Sequence, residues 1–525
     1  MLDLRTLPTL VENGHETNGH SLNTWQFPYR SRARSLLVNG HAESAEAVEA
    51  GRFFHEYLLE NVAAAKTLLE MEEIVKRFKE YGLIIVEDKC VDGRVHGSKG
   101  TGYPIGTVTF MRNEGAKLDI EPTNVRLWEI VHAAVSDAAM KTPGMPAIFR
   151  MYGHYSGSDA CLGCAAHGYD CAIAEKTVAD QTEKLRREYY DPKHINLYTR
   201  KDIVFAHGLT NTDDMAERIV FEDHHVLDSS LLIEELRLTD PTDLFSERFL
   251  NEPMHNPAFR KYTGDQPMRY IFNGGESRMY RDLGTSLAMQ AFLIEKICEL
   301  VSKEGRGAEE IFNPRSFETL RSRIARIPTI PSSLTGPLLY QFVWNIAYVL
   351  YQRKRLGQMG DEEKKLHLDH AEKLVCYGEG FESLARNTAL LVSPGRGNEM
   401  HALTKAKDVL GAHSPYKHLP MVHINIELTD EPGSWDSFNR NVLSKLMRMK
   451  GNVNEIFGKG VSILCTYSYR DEKQFYPVRI DARDVRECVH ASVTDGFSSE
   501  SNFTANDMNV AQSLYTQTMR KELAA

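Results

Sequence analysis

No stretch of this 525-residue chain is apolar for long enough to cross a bilayer. The longest apolar run, 338–351, is broken by Gln341 and Asn345 and falls short of the ~20 residues that a membrane span needs. It reads instead as a buried helix. The amino terminus, Met1-Leu2-Asp3-Leu4-Arg5, runs on into Glu, Asn, Gly and His without the apolar core of a signal peptide. A cytoplasmic location without membrane contact is therefore expected. An excess of basic charge is also lacking. The 62 Lys and Arg residues against 72 Asp and Glu leave a formal charge of −10, and no arginine-rich block stands out. Nucleic acid is thus not an expected partner. Cysteine is scarce too, with 8 residues in the chain, which excludes a disulfide framework in a cytosolic protein of this size. Cys298, Cys376, Cys465 and Cys488 are scattered and read as small core residues. Cys161, Cys164 and Cys171 cluster, with Cys90 upstream, and that cluster calls for a chemical explanation.

What is present is an ordinary globular composition, 42% hydrophobic and 26% charged, in a chain long enough for several domains. Residues 1–50, rich in Asn, Gly, His, Ser and Arg, read as a mobile tail, open to two roles: a docking segment around Trp25, Phe27 and Tyr29, or a disordered leader without a partner. Residues 51–80 read as a helical segment, with Leu58, Leu59, Val62, Leu69, Val75 and Phe78 on one face and Gly82 as a stop. Apolar strands are then expected at 83–86, 107–111 and 147–152. Helices are expected at 125–140 and from the Cys164 region to about 190. Strands alternating with helices predict an α/β domain, 81–360, around a largely parallel sheet. In such sheets, sites form at the carboxyl ends of strands. A second domain, 361–525, echoes this plan with strands at 374–377, 421–426 and 461–466 and a helix at 435–449. Its strands are expected to match those ending before Cys90, after Thr109 and before His154. It carries no Cys/His pattern after them, so it is expected to be metal-free and to act as a structural partner of the first.

Catalytic zinc takes three protein ligands from Cys, His and carboxylate and keeps a fourth position for water. Cys90-Val91-Asp92-Gly93-Arg94 follows the first strand. In this turn the cysteine binds metal, Asp92 accepts a hydrogen bond from the metal-bound water, and Arg94 clamps Asp92. His154 follows the third strand, and the small-residue loop 155–163 leads to Cys164 at an expected helix start, where the dipole favours a thiolate. Cys161, Cys164, His167 and Cys171 offer a second arrangement, a structural zinc knot in a non-catalytic scaffold or assembly protein. His167 is open to two roles, proton shuttle or structural hydrogen bond. Glu222-Asp223-His224-His225 reads as a solvated edge or a structural contact rather than a metal site.

Cys-Val-Asp-Gly-Arg at 90–94, His-Tyr-Ser at 154–156 and Gly-Cys-Ala-Ala-His-Gly at 163–168 resemble the carboxysomal shell carbonic anhydrases, a divergent branch of the β class. The likeness runs from about 80 to about 490, through Glu379-Gly380-Phe381 and Tyr467-Ser468-Tyr469-Arg470. It implies an α/β, β-carbonic-anhydrase-like catalytic domain with a related metal-free domain behind it. It also implies Zn2+ on Cys90, His154 and Cys164, with Asp92 and Arg94 as the catalytic pair. The implied reaction is reversible hydration of carbon dioxide to bicarbonate, in a homodimer that contacts a carboxysome shell or Rubisco through its tail. The stretch ahead of Cys90 is much shorter than the family's helical domain, and Cys161 is not part of the family pattern.

Overall fold

The computed structural model describes residues 84–120 with short gaps, 147–191, 203–251, most of 293–303 and 305–361, and in the last third mainly 374–376, 390–392, 421–428, 435–458, 461–469 and 476–477. The expected tail at 1–50 and the helices at 51–80 and 125–140 lie outside the described residues. The chain divides into two compact units, each built on its own sheet, so the architecture is mixed α/β.

The first unit holds a six-stranded sheet in the order β2-β1-β3-β4-β5-β6. Its strands are β1 (Ile84–Cys90), β2 (Val108–Asn113), β3 (Ala147–Tyr155), β4 (Ile203–Asn211), β5 (Glu217–Phe221) and β6 (Val226–Asp228). β2, β1, β3 and β4 run parallel, while β5 and β6 extend the sheet as antiparallel strands. Alternation of side chains sorts the strand residues between two cores. Ile85, Ile148, Tyr152, Ala206 and Ile219 share one core with a long helix, and Val86, Phe149, Met151 and Phe205 belong to the other. The longer helices described in this unit are α1 (Cys171–Tyr189), α2 (Ser229–Leu236), α3 (Pro314–Ala325) and α4 (Ser332–Gln358). α1 packs on β3 and β4 and starts where Asp170 accepts hydrogen bonds from the amides of Ala172 and Ile173. α4 is the buried helix that the 338–351 run predicts, and Gln341 and Asn345 are fully buried within it.

Two expectations about element ends are corrected. Strand β3 runs on through Tyr155, so His154 lies inside the strand rather than after it. Cys164 does not start a helix: it precedes a 3-10 turn, Ala165–His167, and the α-helix begins seven residues later at Cys171. Small residues at 163–168 favour a turn, and the Asp170 side chain supplies the cap.

The second unit holds a five-stranded sheet in the order β11-β10-β9-β7-β8. Its strands are β7 (Leu374–Cys376), β8 (Leu390–Val392), β9 (Met421–Leu428), β10 (Ser462–Tyr469) and β11 (Tyr476–Pro477). Helix α5 (Ser444–Phe457) lies between β9 and β10 in the chain, and the helical backbone starts at Trp435. β7, β9 and β10 are parallel, and β11 is antiparallel to β10. Read from β8, the order β8-β7-β9-β10-β11 repeats β2-β1-β3-β4-β5, with matching strand directions wherever a pairing is described. This corrects the expected correspondence. β9 occupies the place of β3 and β10 that of β4, because β8 takes the place of β2. A three-residue strand is too short to show a period of its own.

Candidate metal centre

In the first sheet the chain passes from β1 to β2 on one side, then crosses to β3 on the other. The topological switch therefore falls between β1 and β3, and their carboxyl ends share one edge. Cys90 is the last residue of β1, and His154 is the next-to-last residue of β3. Cys164 comes from the loop that follows β3. All three side chains are buried, and their donor atoms lie within 4.8 Å of one another. Among the described residues, no other such group of three or more His, Cys or carboxylate ligands occurs.

The donor set fits a metal ion. The Cys90 and Cys164 sulfurs are 3.9 Å apart. Two thiolates bound at ~2.3 Å on a tetrahedral zinc would sit about 3.8 Å apart. Neither ring nitrogen of His154 has a hydrogen-bond partner, which is unusual for a buried imidazole. The Cys90 thiol is pushed well above its ordinary value by its hydrogen bond with Cys164 and by burial. Burial alone would lower His154, but the Cys90 and Asp92 charges outweigh it and hold the imidazole above its usual value. A cation placed among these groups would reverse the first of these effects, since it favours thiolate.

Asp92 is held from two sides. Its Oδ1 accepts from the Arg94 backbone amide at 2.9 Å and from Arg94 Nε at 3.1 Å. Its Oδ2 accepts from Arg94 Nη2 at 2.7 Å and stands 3.7 Å from His154 Nε2. Arg94 Nη2 also donates to the Leu162 carbonyl at 2.6 Å. One guanidinium thus ties the turn carrying Cys90 to the loop carrying Cys164. No family model matches this chain, and no curated protein does.

The turn after Cys164 is fixed by the segment after β2. His167 is buried, and its Nε2 is 2.8 Å from the Gly115 carbonyl. Lys117 Nζ donates to the Ala166 carbonyl at 2.8 Å. Gly115 has φ 64, and a Cβ there would meet Ala166 Cβ and His167 Nε2, each at 2.8 Å. Gly115→Ala is therefore expected to displace the Ala165–His167 turn and weaken the binding of a metal ion at this donor set by roughly tenfold. Competition with a chromogenic chelator measures it, and an unchanged affinity would show that the turn does not hold Cys164.

Cys161, Cys164, His167 and Cys171 do not form the second arrangement. Cys161 and Cys171 are exposed, Cys164 faces Cys90, and His167 is engaged with Gly115. Glu222, Asp223, His224 and His225 form the turn between β5 and β6. There Glu222 accepts from the Phe205 amide, and Asp223 accepts from His225 and Thr329. The Leu162 carbonyl and the Gly115–His167 contact have no sequence signature, because a backbone oxygen is offered by every residue. Among the described residues, no helix is long and apolar enough to cross a membrane.

Proposed function

We propose that this chain is a zinc-dependent carbonic anhydrase that hydrates carbon dioxide reversibly to bicarbonate. The observation that carries the reading is the carboxylate of Asp92, fixed by Arg94 beside a buried Cys-His-Cys donor set. Zinc in a site with three protein ligands acidifies water towards neutral pH and so supplies hydroxide as a nucleophile.

The chain's own residues then have distinct tasks. Cys90, His154 and Cys164 hold the ion. Arg94 occupies both oxygens of Asp92, which keeps that carboxylate from closing the coordination sphere. The Asp92 oxygen nearest His154 accepts the O–H of the attacking nucleophile and leaves its lone pair towards the carbon of the substrate. The motif likeness to carboxysomal shell enzymes supports the choice of carbon dioxide over other small electrophiles. A symmetric dimer, and a shell or Rubisco contact through residues 1–50, follow from the same likeness as further parts of the proposal.

A purely structural zinc would have four protein ligands. Among the described residues, no fourth His, Cys or carboxylate ligand joins the three. Stopped-flow hydration of carbon dioxide combined with metal analysis is the test. The parent protein is expected to hold about one zinc per chain and to hydrate carbon dioxide. Cys90→Ser is expected to lose tight zinc binding and activity together, because a neutral hydroxyl replaces a thiolate. A zinc-loaded parent without hydration activity would refute the enzyme.

A further inference from the structure

A metal-binding histidine uses one ring nitrogen and carries a proton on the other, and that N–H needs an acceptor. His154 Nε2 lies on the Asp92 side, 3.7 Å from Oδ2, which leaves Nδ1 to bear the proton. Nδ1 is buried and has no partner. Directly opposite on β4, in register with His154, stands Thr210. It is fully buried, and its hydroxyl also has no hydrogen-bond partner. Two orphaned polar atoms on facing positions of neighbouring strands are each costly alone and satisfy one another if paired.

The pleat places them on the same face. Tyr152 and Gly208 are the cross-strand pair two residues earlier, and a Cβ on Gly208 would lie 2.7 Å from the Tyr152 ring. Side chains on this face of β3 therefore reach their β4 partners, and His154 and Thr210 share it by the period of two. The second sheet supplies an internal parallel. On β9 and β10, the strands in the places of β3 and β4, the buried Thr466 hydroxyl reaches a histidine on the neighbouring strand diagonally: it lies 2.6 Å from His423 Nε2 and donates to Asn425, the residue in register with it.

We propose that Thr210 is the positioning residue for His154: its hydroxyl accepts the Nδ1–H and so fixes the tautomer that presents Nε2 to the metal. The inference rests on the metal reading of Cys90, His154 and Cys164, but not on the reaction catalysed. Fixing the tautomer removes the competing Nδ1 lone-pair form and holds the ring plane in one orientation. The group acts through His154 and does not touch substrate.

The test is zinc affinity by chelator competition in the full-length protein, comparing parent, Thr210→Val and Thr210→Ser. Valine keeps the shape and removes the acceptor, so the zinc dissociation constant should rise about ten- to a hundredfold. Serine restores the hydroxyl and should bring the constant back to within a few-fold of the parent. The metal-free Val variant should unfold at the same urea concentration as the metal-free parent, or a higher one, because an orphaned buried hydroxyl has been removed. Selectively 15N-labelled histidine gives an independent reading. An exchange-protected imidazole N–H should appear in the zinc-loaded parent and Ser protein and vanish in the Val variant. Equal zinc affinity in parent and Val variant overturns the role of Thr210 while leaving the metal centre standing. So does loss of affinity in Val and Ser alike. A parent that binds no zinc overturns both together.

Discussion

Asp92→Asn is expected to lower kcat/KM for carbon dioxide hydration by about a hundredfold while zinc content stays at the parent level. The side chain keeps its size, and Asp92 supplies no donor to the Cys90, His154 and Cys164 group. What changes is the pattern of donors and acceptors. As a carboxylate, the residue spends Oδ1 on the Arg94 amide and Nε, and turns Oδ2 towards Arg94 Nη2 and the metal donors. An amide has one acceptor oxygen. If that oxygen faces Arg94 Nε, the NH2 group is aimed into the site, where an acceptor is required. If it faces the site, an N–H opposes the Arg94 amide and guanidinium. Either rotamer loses one function. Arg94→Lys should fall between parent and Asp92→Asn, since an ammonium keeps the charge but cannot bridge both Asp92 oxygens and the Leu162 carbonyl as the planar fork does. Stopped-flow rates at matched zinc occupancy give the comparison. Asp92→Asn protein working at the parent rate would remove Asp92 from the reaction and, with it, the main support for carbonic anhydrase over a passive metal site.

The part of the site that can be read from sequence is the part written in side-chain type. Cys90, Asp92 and Arg94 stand close enough in sequence to announce a turn with a job, and His154 and Cys164 follow as donors near a strand end. The remaining parts depend on register and backbone. Thr210 matters because β4 aligns it with His154, and nothing local distinguishes it from any strand threonine. Gly115 matters because the His167 ring lies against it. The antiparallel strands β5 and β6 escape the alternating strand–helix pattern, and His207, Gly208 and Asn211 blur the apolar signal of β4. In the second unit the strands β9 and β10 are legible as apolar runs, whereas their places in the sheet are not. Those places depend on β8, whose three residues decide the pairing order without any visible period. Gln341 and Asn345 show the reverse case. In the sequence they look like interruptions of an apolar helix, but they are buried contacts to the sheet and the loops beside it.

Those contacts define a second expected result, on stability. Four charged groups are fully buried on one face of the first sheet: Glu87 and Lys89 from β1, Arg150 from β3 and Glu217 from β5. Their formal charges cancel. Lys89 Nζ lies 2.7 Å from Glu87 and 3.6 Å from Glu217, and Arg150 is paired with Glu87. Gln341 bridges the rest, accepting from Arg150 and donating to Glu217, each at 2.6 Å. Lys89→Met would leave two carboxylates facing one guanidinium in a dry core. A broken buried pair costs about 3–5 kcal/mol, chiefly from the charge left uncompensated. Glu217→Gln should cost a similar amount with the opposite sign of excess charge. The double variant, Lys89→Met with Glu217→Gln, returns the core to neutrality with Glu87 and Arg150 still paired. It should therefore be more stable than the sum of the singles by roughly 2–3 kcal/mol, the upper range of coupling between contacting residues. Urea unfolding followed by tryptophan fluorescence reads this directly, because Trp344 of α4 is buried in the same core. If either single variant costs under ~1 kcal/mol, the core would be relieving the excess charge by proton uptake or release. Additive singles would mean that Lys89 and Glu217 do not compensate one another, and that Gln341 alone links the two sides of the network.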